Sequence, residues 1–300
     1  MRIDQINYQG WNCCRVSNEI VDVIATLDVG PRIIRFGFVG EANEFKEYAD
    51  TLGKIGGDEW RIYGGHRLWH APEALPRSYA PDNAPIRFET FADGFKLIQP
   101  IERMTGIAKE IELHLTPNAA QARVIHRLTN HNLWAVELAP WALSVMAPGG
   151  KGIIPLPWRG SHPADLPPAN RLVLWHYTDM SDSRWTWGNQ YILLRQDATA
   201  SRPQKLGVSV PNGWCAYARA GHLFLKRVAF QSESLYPDLG CSVEMFTNAD
   251  MLELETLGPL TRLEPGMTTE HIEEWYLFRD VPMPMTDSDI NQFVLPKIKV

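Results

Sequence analysis

Apolar residues recur at every second position along most of this chain, a period that suits half-buried strands and little else. From Ile20 to Val29 the run I-V-D-V-I-A-T-L-D-V sets Val21, Val23, Ala25, Leu27 and Val29 on one face. Gly30-Pro31 then makes a turn, and R-I-I-R-F-G-F-V (32–39) is the returning strand of a hairpin. The same alternation marks 86–91, 95–102 and 108–115, where Ile111, Leu113 and Leu115 share a side, and then 122–130 and 133–146, bent at Pro140. Later segments at 205–210, 214–219, 222–230, 241–248, 251–257 and 270–278 are strand-like too. Many short strands, few helices and frequent Gly/Pro turns predict an all-β protein of two stacked antiparallel sheets.

Three stretches depart from the pattern. Gly40–Asp50 is charged and is expected to hold a short helix. Asp58–Glu73, D-E-W-R-I-Y-G-G-H-R-L-W-H-A-P-E, gathers His66, Arg67, Trp69, His70 and Glu73 around Gly64-Gly65 and ahead of Pro72. Glycine permits positive φ or close backbone approach and proline blocks a continuing helix, so the segment reads equally as a binding loop or as a turn whose Trp and Leu plug a core. Pro148–Pro168 is rich in Pro and Gly but too apolar for a solvated linker, and is expected to be a long packed loop. With no boundary between the halves, residues 1–300 are expected to form one domain.

A net charge of −6 argues against strong affinity for nucleic acid or an anionic membrane surface. Cys13, Cys14, Cys215 and Cys241 fit neither a disulfide framework nor zinc-ligand spacing and are expected to be reduced, buried thiols. With no apolar signal segment at the N-terminus and no run of about 18 apolar residues, the expectation is a soluble cytoplasmic protein. Eleven Trp, nine Tyr and eleven Phe supply flat rings of the kind that stack on sugar C–H faces. No glycine-rich phosphate loop, nucleophile elbow or repeat period occurs.

In M-L-E-L-E-T-L (251–257) an extended backbone points Glu253 and Glu255 to one face. At ~7 Å apart, two poorly solvated carboxylates raise each other's pKa. The preceding strand, S-V-E-M-F-T-N, adds Glu244; three carboxylates on paired strands repel unless something cationic or hydroxylated joins them. His66 and His70 would share a metal-binding face only on a helix, which Gly65 and Pro72 disfavour, so neither metal nor cofactor is expected. One of the two imidazoles is instead expected to donate a proton while the other and Arg67 hydrogen-bond a polar ligand, with Trp69 beside them in contact with it. His176, Asp182, Arg184 and Trp187 form an aromatic–acid–Arg–aromatic group, read equally as a second ligand wall or as a packed Trp corner.

The order of strands, with A-T-L-D-V-G-P-R-I-I-R-F, Y-G-G-H-R-L-W-H-A-P-E, R-V-I-H-R-L-T-N-H-N and L-E-L-E-T-L-G-P-L…L-E-P-G-M, resembles the galactose mutarotase-like (aldose 1-epimerase-like) superfamily, in a divergent subgroup. The resemblance implies a β-supersandwich of large antiparallel sheets with few short helices, and matches Asn130 to a family Asn and Glu255 to the general base. It departs at mid-chain, where many members carry a His-Pro-Tyr-Phe-like segment supplying the acid and this chain has A-P-W-A-L-S-V-M, with Trp141 and Ser144 but no His. The implied activity is interconversion of sugar anomers: Glu255 removes the O1 proton and His66 or His70 protonates the ring oxygen. Glu73, Glu244, Glu253 and the other polar and aromatic candidates would hold the substrate, a small-molecule sugar. The alternative is a non-catalytic carbohydrate-binding protein on the same fold. A lyase or hydrolase on a related sandwich finds no positive channel or well-placed acid pair to support it.

Overall fold

Strands such as Ile107–Leu115, in which every second side chain is buried, can be satisfied only by a second layer laid against their apolar face. The computed structural model, which describes residues 1–298, supplies that layer: an eleven-stranded and a ten-stranded sheet, with every strand pairing antiparallel. The middle of the larger sheet runs Arg32–Phe38, His66–Ala71, Val136–Met146, Leu252–Leu257, Val243–Thr247, Gln204–Val208. The facing sheet is centred on Trp214–Arg219, His222–Val228, Thr268–Phe278 and Gln121–Asn130.

Between the sheets lies one large core, with Val23, Phe36, Leu68 and Leu254 meeting Leu113, Val124, Phe224 and Trp275. Phe36 packs against Phe224 and Trp275 at ring separations of 5.8 and 5.5 Å, contacts that add about 0.5–1.5 kcal/mol each beyond area burial. A second cluster lies outside the ten-stranded sheet, where Ile290 and Val294 of the C-terminal helical segment cover Ile153, Leu193 and Ala216. A third lies outside the larger sheet and includes Trp69, Trp141 and Leu257.

The strands expected from alternation form close to their predicted limits. Val21–Thr26 pairs with Arg32–Phe38 as the hairpin, and Val136–Met146 is continuous through Pro140. Three expectations are corrected. Residues 40–50 form turns and isolated bridges instead of a helix, because Phe45 and Glu47 are drawn into backbone bridges with Met146 and Gly64. The apolar piece of 148–168 is a central strand, Lys151–Pro155, paired on both sides. The supposed loop ends in the strand His66–Ala71, the centre of the larger sheet. The last two positions of the expected 1–300 domain lie outside the described residues. All four cysteines are free and buried. No helix among the described residues is long and apolar enough to cross a membrane.

Candidate functional site

The site begins at Gly64-Gly65. Both have positive φ, and a Cβ on Gly64 would lie 2.1 Å from the Lys46 carbonyl oxygen, one on Gly65 2.4 Å from that of Ile33. This close approach delivers the chain into the sheet at His66. From there the strand alternates strictly. Arg67, Trp69 and Ala71 point outward; His66, Leu68 and His70 point between the sheets.

On the outward face the register aligns Arg67, Leu143, Glu255 and Glu244 in one row across four strands, and Glu253, Phe246 and Lys205 in the next. Above these rows is a hollow of about 480 Å³ lined by Arg67, Trp69, Glu73, Trp141, Trp175, Tyr177, Lys205 and Glu253, among others. Its aromatic wall is continuous: Trp69 lies 5.4 Å from Trp141, 5.6 Å from Trp60 and 5.1 Å from Tyr79, each edge to face. The Arg67 guanidinium stacks 4.6 Å from the Trp69 ring centre and lies 2.7 Å from Glu253. That ion contact is not aligned as a hydrogen bond, and Arg67 Nε and Nη1 and Glu253 Oε1 have no hydrogen-bond partner. Glu73 accepts a hydrogen bond from the Tyr79 hydroxyl at the rim.

Beneath the hollow, Lys205 resolves the charge problem posed by the carboxylates. Its Nζ lies 2.8 Å from Glu244 and 3.2 Å from Glu255, and 4.7 Å from the ring centres of both Trp141 and Trp175. Burial works against the ammonium charge, but the two carboxylates outweigh it and hold Lys205 well above its ordinary value. Burial pushes Glu244 well above the usual carboxylate range, only partly offset by Lys205 and reinforced by Glu255. Burial raises Glu255 too, with Lys205 opposing and Glu253 adding to the shift. Glu255 Oε2 also accepts from the Trp141 indole at 2.8 Å, while its Oε1 has no partner. Glu255 is fully buried under Trp141 and Lys205; of the two strand glutamates, Glu253 lines the hollow.

The expectation that His66 or His70 faces Glu255 is corrected by strand parity: both imidazoles lie on the opposite side of the sheet. His66 Nδ1 is 2.8 Å from Ser144 Oγ, and its Nε2 is 2.7 Å from His126 Nε2. His126 Nδ1 donates to the His271 carbonyl, so His126 Nε2 accepts from His66 and Ser144 donates to His66 Nδ1. Both rings are neutral in this arrangement, and burial lowers both pKa values, His66 farthest. Glu273 completes the network with Lys226 (2.9 Å), Trp275 (2.7 Å) and Thr256 (2.5 Å). His66, His126 and Glu273 are close enough to share a metal ion. The two imidazoles are engaged with each other, Ser144 and the His271 carbonyl, however, and Glu273 accepts from Lys226, Trp275 and Thr256, with Lys226 already supplying the cation beside it. His70 engages through Nε2 alone, 3.4 Å from Glu102, whose carboxyl is held down at about 2 by Lys109 and His70 against burial, while His70 Nδ1 has no partner.

Asp182, Arg184 and Trp187 do not reach the hollow. Arg184 donates to Asp182 and to the Arg202 carbonyl, and Trp187 stacks on Trp185 and donates to the Met180 carbonyl. These form the packed-corner alternative. His176 is exposed, but its neighbours Trp175 and Tyr177, in the turn that follows the strand Leu172–Leu174, line the hollow. Asn130 is fully buried and spends its amide on the carbonyls of Trp134 and Leu263. Sequence reasoning missed Lys205, Trp175, Tyr177 and Phe246 as site residues. The two aromatics flanking His176 carried a signal; Lys205 carried none until strand register placed it beside two glutamates.

No family model and no curated protein sequence matches the chain. Solved structures do match in fold. A candidate aldose 1-epimerase from Klebsiella pneumoniae superposes with a TM-score of 0.62 at 10% identity, covering 99% of this chain and 87% of that one. A candidate mutarotase from Salmonella typhimurium gives 0.59 at 10% identity, covering 92% and 94%. A galactose mutarotase-like protein from Lactobacillus casei gives 0.54 at 8% identity, covering 89% and 100%. The architecture is that of the galactose mutarotase-like β-supersandwich, carried here by a sequence widely divergent from the structures that share it.

Proposed function

We propose that the chain is a carbohydrate-active protein whose partner is a small-molecule sugar, held in the hollow on the outer face of the larger sheet. One observation carries this reading: a continuous aromatic wall and the polar groups Arg67, Glu253 and Lys205 converge on a single cavity of about 480 Å³. That volume suits a small ligand. A pyranose stacked on Trp175 or Tyr177, lining rings less buried than Trp69 and Trp141, would offer hydroxyls to the Arg67 and Glu253 side chains. The pairing of charges favours an uncharged sugar, because each cation in the lining already faces a carboxylate.

A second reading, anomer interconversion, is favoured by the raised pKa of Glu255, which moves a carboxyl toward the range useful for proton transfer near neutrality. In that reaction a base takes the O1 proton, the C1–O5 bond opens as O5 gains a proton, and reclosure on the other face gives the other anomer. Glu255 is the base in this reading. Lys205 replaces the imidazoles as the group facing O5, since His66 and His70 are on the far side of the sheet. Access to Glu255 requires the Trp141 and Lys205 side chains to shift.

Titration with D-glucose and D-galactose, followed by tryptophan fluorescence and by exchange NMR of the anomeric protons, separates these readings. Saturable quenching with unchanged anomer exchange identifies a binder. Accelerated exchange that disappears in Glu255→Gln identifies the enzyme. Absence of both across a panel of aldoses overturns the proposal.

A further inference from the structure

A second concave site lies on the other side of the sandwich, outside the ten-stranded sheet and beside the C-terminal helical segment. It is a groove of about 430 Å³. Its walls are Trp158, Tyr191 and Trp214, and its polar lining includes the carboxamides of Gln190, Asn212 and Asn291. Trp158 is 75% exposed, an extreme for a side chain of that size, whereas Trp214 is 4% exposed and fixed at the base.

The amides are ordered before any ligand arrives. The Tyr191 hydroxyl donates to Asn291 Oδ1 at 2.9 Å, and Asn291 Nδ2 donates to Gln190 Oε1 at 2.7 Å. Asp287 accepts from the backbone N–H groups of Asn189 and Gln190 at 2.7 and 3.0 Å, which holds the turn that presents them. This chain of bonds leaves the Gln190 amide protons free to donate, and a carboxamide offers both donors and acceptors to a hydroxyl. Among the described residues no carboxylate lines the groove, and Arg159 is the one charged residue of the lining.

We propose that this groove is a second, non-catalytic binding site for a neutral saccharide unit. A ring face would stack on Trp158, while hydroxyls would bond to the free edges of Gln190 and Asn212. The volume is that of a small-molecule site, and oriented amides with stacking rings are suited to uncharged polyhydroxyl ligands. Among the described residues of the lining there is no carboxyl group or imidazole to carry a proton in glycosyl chemistry. The proposal is independent of the function assigned to the hollow, since the two sites lie on opposite outer faces and share no lining residue.

The test is a ¹⁹F NMR titration of protein labelled with 5-fluorotryptophan, using D-glucose, D-galactose and methyl β-D-glucopyranoside as probes. Resonances of Trp158 and Trp214 are assigned by Trp→Phe substitution, and that of Trp69 reports the hollow. The proposal expects saturable shifts at Trp158 and Trp214 that persist in Glu253→Gln. Trp158→Ala, at an exposed position, should weaken the Trp214 response about tenfold or more. Shifts confined to Trp69 would overturn the second site while leaving the hollow as a sugar site. Shifts at Trp158 and Trp214 without any at Trp69 would uphold the second site and count against the hollow. Linear, non-saturating drift at Trp158 and Trp214 would overturn the second site as well.

Discussion

The two faces of the His66–Ala71 strand present the same kind of polar side chain under opposite conditions. Inward, His66 has both ring nitrogens bonded, Glu273 has three hydrogen-bonding partners in Lys226, Trp275 and Thr256, and His70 engages Glu102 through Nε2 alone. Outward, Arg67 has two nitrogens without partners and Glu253 lines an open hollow. A buried polar group with every bond made rigidifies a core, whereas one left with unmade bonds is poised for a ligand. The difference separates stability from recognition within six residues of chain.

The largest expected effect comes from breaking the inner network. Lys226→Met leaves Glu273 charged and uncompensated between the sheets and should cost about 3–5 kcal/mol in urea unfolding. The double variant Lys226→Met/Glu273→Gln should recover part of that loss. Equal losses in the single and double variants would show that packing, not charge, dominates.

Next in size is the pH dependence of stability. Burial lowers the pKa of His66, His126 and His271, the last to about 3 from 6.5. Below pH 6.5 the unfolded chain therefore binds protons that the folded chain excludes, and stability falls as pH drops from 6.5 toward 3. Each such histidine contributes up to about 1.4 kcal/mol per pH unit within its window. His271→Gln should flatten the slope of unfolding free energy against pH by one proton; an unchanged slope would count against a neutral His271.

A smaller effect is expected where the two faces resemble each other, at Lys205 between its two glutamates. One carboxylate suffices to balance one ammonium, so Glu244→Gln should change stability by about 1 kcal/mol or less, while Glu244→Gln/Glu255→Gln should cost well beyond the sum of the single changes. Additivity in this double-mutant cycle would mean that the three charges do not act together. The smallest effect is predicted for Trp187→Ala, which should leave sugar affinity unchanged because its ring packs on Trp185 away from the hollow.

Much of this was legible in the sequence because strand period decides facing. The alternation that set Ile111, Leu113 and Leu115 inward also put Glu253 and Glu255 on one side. Applied to H-R-L-W-H-A, it separates Arg67 and Trp69 from His66 and His70. The segment's dense chemistry and its Gly-Gly entry suggest a loop instead, because a central strand with polar side chains on both faces lacks the apolar alternation that marks other strands. Similarly, in W-H-Y the imidazole attracts attention while the flanking rings turn into the site. Lys205 was beyond reach, since K-L-G-V is an ordinary strand fragment and its role depends on register with Glu244 two strands' worth of sequence away.

The most direct test of this division is isothermal titration of the best-binding aldose into two variants, Glu253→Gln and His66→Gln, with thermal unfolding measured alongside. The account predicts that Glu253→Gln loses about tenfold or more in affinity with little change in Tm, and that His66→Gln lowers Tm but keeps the wild-type Kd while folded. A folded His66→Gln protein that no longer binds, beside a Glu253→Gln protein that binds normally, would contradict it.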